Sequence, residues 1–77
     1  MDAETGTASE VAGAQSVERA TALLMLVARF RRAGAGLGEI VAESGLKQPT
    51  ARRLLLALMR TGLVEQDPVT RRYLLGP

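Results

Sequence analysis

Cysteine and histidine are both absent from these 77 residues. Without cysteine there is no disulfide framework and no thiolate metal site. Without histidine there is no His-based catalytic site and no His-ligated zinc. No apolar run approaches the roughly 18 residues that a membrane span needs. The first residues, MDAETG, hold no basic stretch leading into an apolar one, so cytoplasmic residence is expected. A Gly-rich phosphate loop of the form G-x-x-x-x-G-K-S/T is missing as well. Asp67 and Glu65 fall in a surface hairpin, where no pocket is expected to shift their pKa values. Neither an enzyme, a cofactor nor a metal is therefore expected.

What is present is a small basic domain with helical periodicity. The length allows one domain with a thin core. Net charge is only +2, but it is unevenly spread. Residues 1–15 carry Asp2, Glu4 and Glu10 and no base; residues 16–77 carry ten basic against five acidic side chains, a net +5. Such a balance suits an anionic partner. Residues 1–15 are small and polar with one β-branched aliphatic, Val11, and are expected to form a disordered tail.

The stretch GLKQPTARRLLLALMRTG, Gly45 to Gly62, carries most of the information. Gly45 suits the left-handed turn that ends a preceding helix. Pro49 suits the first position of a new one, with Gln48 as N-cap. Gly62 ends it. At 100° per residue, Ala51, Leu54, Leu55 and Leu58 share one side, Arg53 and Arg60 lie opposite, and Thr50 and Arg52 sit on the flanks. The result is a helix with an apolar side for a core and a basic side that fits a major groove.

Upstream, residues 16–31 read as a helix with Ser16 as N-cap and Val17, Ala20, Leu23, Leu24 and Val27 as its stripe. Leu26 and Phe30 widen that stripe. They pack either under the chain's own loops or against a second copy. A weak homodimer meeting through Leu23, Leu26 and Phe30 is the expectation. Ala33–Gly36 reads as a flexible break. Leu37–Ser44 is a short helix with Gly36 as N-cap and Glu39 at the third position, and Gly38 inside it costs about 1 kcal/mol relative to Ala. After Gly62 the period turns extended. Two short strands flank Asp67-Pro68-Val69-Thr70, which suits a type I turn, and the second strand spans Arg71–Leu75. Three helices followed by a two-stranded hairpin make a mainly α winged helix-turn-helix over residues 16–77.

The pieces SVERA, LGEIVAESGL, TARRLL and GLVEQDPVTRRYLLGP occur in that order from Ser16 to Pro77. In sequence and spacing they closely resemble the N-terminal DNA-binding domain of IclR-type bacterial transcription regulators. The resemblance implies a winged helix-turn-helix that binds double-stranded operator DNA as a dimer. It implies that Lys47, Gln48, Thr50, Arg52 and Arg53 face the DNA. Arg71 and Arg72 on the wing are expected to hold phosphates. The family usually has Pro-Lys-Ser-Thr where this chain has Lys47-Gln48-Pro49-Thr50, and Ser or Thr where it has Gly38. Family members also carry a linker helix and an effector-binding domain after the wing, and neither lies within these residues. The competing reading is a winged-helix interaction or dimerisation module without DNA binding, built on the apolar edge of the first helix and on Leu56.

Overall fold

The computed structural model describes residues 8–77, with side chains from Gly13 onward. Its elements are α1 (Ala8–Arg29), a single 3-10 turn (Arg31–Ala33), α2 (Leu37–Ser44), α3 (Gln48–Arg60), β1 (Val64–Gln66) and β2 (Tyr73–Leu75). The expected winged helix-turn-helix is what forms.

Helix α1 begins at Ala8, so Ser16 lies inside it and caps nothing. The segment expected as tail is thus helical from residue 8, and residues 1–7 lie outside the described residues. Its composition explains this: Ala8, Glu10, Ala12, Ala14 and Gln15 are good helix formers, and only Gly13 opposes them. Side chains 13–19 are all exposed, so this part rests on propensity alone. Packing starts one turn later. Leu23 and Val27 are fully buried and Leu26 is 7% exposed. Phe30 is half-buried against the same cluster.

That placement corrects the expected dimer surface. Leu23 and Leu26 belong to the core of the single chain, and Phe30 packs on its edge. The broad stripe of α1 is wide because three elements cover it: α2, α3 and β2 all pack against this helix. The exposed large apolar side chains of α1 are instead Val17 and Met25.

The core is completed by Ile40 of α2, by Ala51, Leu55 and Leu58 at helical spacing on α3, and by Val64 and Tyr73 of the hairpin. Helix α2 starts as its sequence foretold: the Gly36 N–H donates to Glu39 Oε1 at 2.8 Å. It stops at Gly45, whose φ is 74° and whose N–H donates to the Val41 carbonyl at 3.0 Å. Helix α3 starts one residue earlier than expected. Lys47 is its extended N-cap, with no side-chain cap, and Pro49 is the second helical residue. Its other end closes with a pair of bonds, Gly62 N–H to Met59 O and Leu63 N–H to Leu58 O, which is the Schellman arrangement. Gly62 has the required left-handed φ of 81°.

The hairpin is antiparallel with Val64 opposite Leu75, Glu65 opposite Leu74 and Gln66 opposite Tyr73. Its second strand is shorter than expected because Arg71 takes a positive φ of 66°. The turn's main-chain closure accordingly reaches one residue past a simple β-turn, Arg71 N–H to Asp67 O at 2.8 Å. Asp67 Oδ1 accepts the Val69 and Thr70 N–H groups at 2.8 and 2.9 Å. Those bonds, Thr70 first, hold the Asp67 carboxyl below its ordinary pKa. A shift was not expected in this hairpin; its cause is the turn, not a pocket.

The segment Ala33–Gly36 is not a flexible break. Ala35 exchanges two hydrogen bonds with Tyr73, of 2.8 and 2.7 Å, and so extends the hairpin on its open edge. Gly34, the residue before Ala35, has φ 76° and ψ 167°, a region close to glycine-only. A Cβ there would stand 3.0 Å from the Tyr73 carbonyl oxygen and 3.2 Å from Arg72 Cβ. Gly38 is the opposite case, with nothing within 4 Å of an added Cβ. Two alanine substitutions should therefore differ in sign. Gly34→Ala should destabilise by about 1–3 kcal/mol, and Gly38→Ala should stabilise by up to about 1 kcal/mol. Thermal unfolding followed by circular dichroism checks both.

Candidate nucleic-acid interface

The turn from Gly45 to Lys47 sets α3 on the surface with its N-terminal half exposed. Leu46 plugs that turn, half-buried against the core. Its N–H donates to Ser44 Oγ at 3.1 Å. From here Lys47, Gln48, Arg52 and Arg53 project into solvent, and Thr50 is half-buried. These are the sequence-predicted positions; all five lie at the N-cap or in the first two turns of α3, and of them Arg52 and Arg53 line the groove described next.

The hairpin stands beside that surface and leaves a groove. Its upper part is lined by Arg52, Arg53, Leu56, Met59, Gln66 and Tyr73. Its lower part is lined by Gly36, Leu37, Arg52, Gln66, Thr70, Arg71, Arg72 and Tyr73. Arg52, Gln66 and Tyr73 border both, so the depression is continuous from α3 to the wing. Arg52 stands at its middle, a position that helical periodicity placed only on a flank.

Ion pairing decides which charges remain available. Arg29 takes Glu43 at 2.9 Å, tying α1 to α2. Arg72 takes Glu39 at 2.7 Å. Both acids of α2 are thus occupied by other arginines. Among the described residues, Lys47, Arg52, Arg53 and Arg71 enter no ion pair with a carboxylate. Arg52, Arg53 and Arg71 line the groove, Lys47 stands exposed at the N-cap of α3, and no acidic side chain lines the groove.

Arg72 departs from its expected role. Its Nε donates to the Ala33 carbonyl at 2.9 Å and the Gly34 carbonyl at 3.2 Å, and its Nη2 donates to Gly34 O at 2.9 Å and Glu39 Oε1 at 2.7 Å. The guanidinium is spent on the protein's own backbone. It borders the groove without being offered to it, so an Arg72–phosphate contact has no support in this geometry. The carbonyls it meets are brought near by the Ala35–Tyr73 pairing, which links residues 38 apart in sequence. No local pattern signals such a contact.

Two further groove residues, Gln66 and Thr70, were not singled out by the sequence. Gln66 had a readable signal. It lies two residues after buried Val64, on the same face of β1, where an apolar residue would be ordinary. A polar side chain at that register marks the point where the face leaves the core for the groove. Its Nε2 donates to the Arg71 carbonyl at 3.0 Å and so steadies the wing's strained corner. Among the described residues no three potential metal ligands come together. No described helix is long and apolar enough to cross a membrane.

Comparison with known proteins agrees with this geometry. The IclR helix-turn-helix domain matches residues 16–68. The glycerol operon regulatory protein of Streptomyces griseus is 45% identical over 62 residues, covering 80% of this chain and 24% of that protein. Its counterpart in Streptomyces coelicolor has the same identity and the same coverage. The crystal structure of an IclR transcriptional regulator from Alicyclobacillus acidocaldarius superposes with a TM-score of 0.75 at 38% identity, over 82% of this chain and 25% of that one. The chain spans about a quarter of the length of the relatives it matches.

Proposed function

The chain belongs to the IclR family of transcription regulators, and on that footing we propose that it binds double-stranded operator DNA through the groove between α3 and the wing. The observation that carries this is the set of groove cations without acidic partners, Arg52, Arg53 and Arg71, with Lys47 exposed at the N-cap of the same helix. The first turns of α3 enter the major groove. Arg52 and Arg53 reach guanine O6 and N7, and Gln48 suits adenine. Lys47 and Thr50 meet the backbone at the helix start, and Arg71 meets it from the wing. Two copies on a palindromic site in the bacterial cytoplasm fit the general geometry of helix-turn-helix readers. They do not meet through Leu23 and Leu26, which are core.

Fluorescence-polarisation titration of the domain against an operator-containing duplex and a random duplex tests the reading. Arg53→Ala should cost roughly 1–3 kcal/mol on the operator and relax preference at one base pair. Arg71→Ala should weaken both duplexes alike. Equal, sequence-blind losses for the two would mean that Arg53 reads no base. No association of the wild type with either duplex would return the domain to the class of protein-interaction modules.

A further inference from the structure

The wing's position beside α3 is held by one small assembly. Glu39 Oε1 accepts two hydrogen bonds, from the Gly36 N–H that opens α2 at 2.8 Å and from Arg72 Nη2 at 2.7 Å. The same guanidinium grips the Ala33 and Gly34 carbonyls. The next residue, Tyr73, exchanges both its main-chain bonds with Ala35. One carboxylate oxygen therefore joins the start of α2 to the root of the wing. Arg71, the wing's available cation, is the residue immediately before Arg72. Any rotation of the wing about its root moves Arg71 and Gln66 relative to Arg52 across the groove.

We propose that Glu39 and Arg72 are positioning residues that set the wing's angle for DNA, Glu39 acting through Arg72 without touching nucleic acid itself. This rests on the DNA-binding reading above. It makes an unusual demand on sign. Glu39 is a half-exposed anion near a cationic groove. Acting only through its charge, it repels phosphates, and its neutralisation tightens binding. As a clamp it does the reverse, and its loss weakens binding.

The test compares Glu39→Ala and Glu39→Gln with Glu65→Gln, a neutralisation on β1 at an exposed acid that enters no ion pair among the described residues. Affinity for a duplex is read well below each protein's unfolding temperature, so that loss of stability alone leaves it unchanged. Glu39→Ala is expected to bind roughly three- to tenfold more weakly, the scale of one hydrogen bond's net contribution. Glu39→Gln keeps a neutral acceptor for both donors and should recover the greater part. Glu65→Gln should bind as well as wild type or more tightly. The dependence of affinity on salt should keep its slope in Glu39→Ala, since no phosphate contact is removed. With one tyrosine and no tryptophan in the chain, tyrosine emission reports Tyr73 directly. It should change in Glu39→Ala and not in Glu65→Gln. Arg72→Met weakening binding without lowering the slope supports the clamp. Arg72→Met lowering the slope by about one, as a lost phosphate contact does, overturns it. Glu39→Ala binding as tightly as Glu65→Gln overturns the clamp alone, and absence of wild-type binding overturns both readings.

Discussion

Leu26→Glu is expected to unfold the domain. The side chain is 7% exposed and lies between Leu23 and Val27, which are fully buried. Burying a leucine contributes about 1.5–3 kcal/mol, and that is lost. A carboxylate at this position enters a cluster whose buried members are all apolar; Arg19 and Arg29 border the depression outside it, and Arg29 is already paired with Glu43. Held within the cluster the carboxylate stays unpaired or takes up a proton, and an uncompensated buried charge costs about 3–5 kcal/mol. Domains of this size are stabilised by roughly 0.05–0.15 kcal/mol per residue, so about 4–12 kcal/mol in all. The penalty and the reserve are comparable. Far-ultraviolet circular dichroism should show loss of most helical signal at 37 °C. Met25→Glu is the matched control. It sits one residue away on α1, is 65% exposed, and should leave helicity and thermal midpoint nearly unchanged. A folded Leu26→Glu protein would return Leu26 to the surface and with it the dimer contact that the sequence suggested.

The same residue shows where local patterns lose their hold. Leu26 and Phe30 read as surplus on α1 because a single neighbouring helix needs only a narrow stripe. The count of neighbours was the missing quantity: α1 is packed by α2, α3 and β2 together, and two of these are distant in sequence. What depends on a few adjacent residues was legible. Gly45 and Gly62 end their helices in the left-handed region as their spacing indicated. Glu39 caps α2 from the third position. The hairpin opens where helical periodicity stops. Boundaries were less secure. Ser16 is a good cap by type, but the alanines before it are better helix formers than a cap is a stop. Pro49 is tolerated at the second helical residue as at the first, so α3 slid by one. The site was legible in its helix and less so in its wing. Arg52 and Arg53 both line the groove because neither falls on the core stripe that the helical period defines, whereas Lys47, Gln48 and Thr50 lie at the helix start and do not line it. Arg72 turned inward because Gly34, 38 residues earlier, presents a carbonyl to it.

Salt should weaken DNA binding steeply. Arg52, Arg53 and Arg71 line the groove and Lys47 stands at the N-cap of α3, and none of the four has a carboxylate partner among the described residues. Each of the four displaces condensed counterions, Lys47 and Arg71 at phosphates and Arg52 and Arg53 from within the groove that the phosphates flank, with a contribution of about −0.9 each to the slope of log K against log salt. Four such contacts give a slope on the order of −4 for one copy. Between 50 and 200 mM salt the affinity should then fall by roughly two orders of magnitude. Removing charges one at a time resolves which of them act this way. Lys47→Ala and Arg71→Ala should each reduce the magnitude of the slope by about one. Arg72→Ala should lower affinity through the wing and leave the slope near that of wild type, because its guanidinium is bound to Ala33, Gly34 and Glu39 before DNA arrives. The distinction is not available from affinity alone, since all three substitutions weaken binding. A slope near zero with measurable association would mean that the groove's cations do not meet phosphates. Binding would then rest on Leu56, Met59 and the other apolar side chains between them, which is how a protein partner would be held.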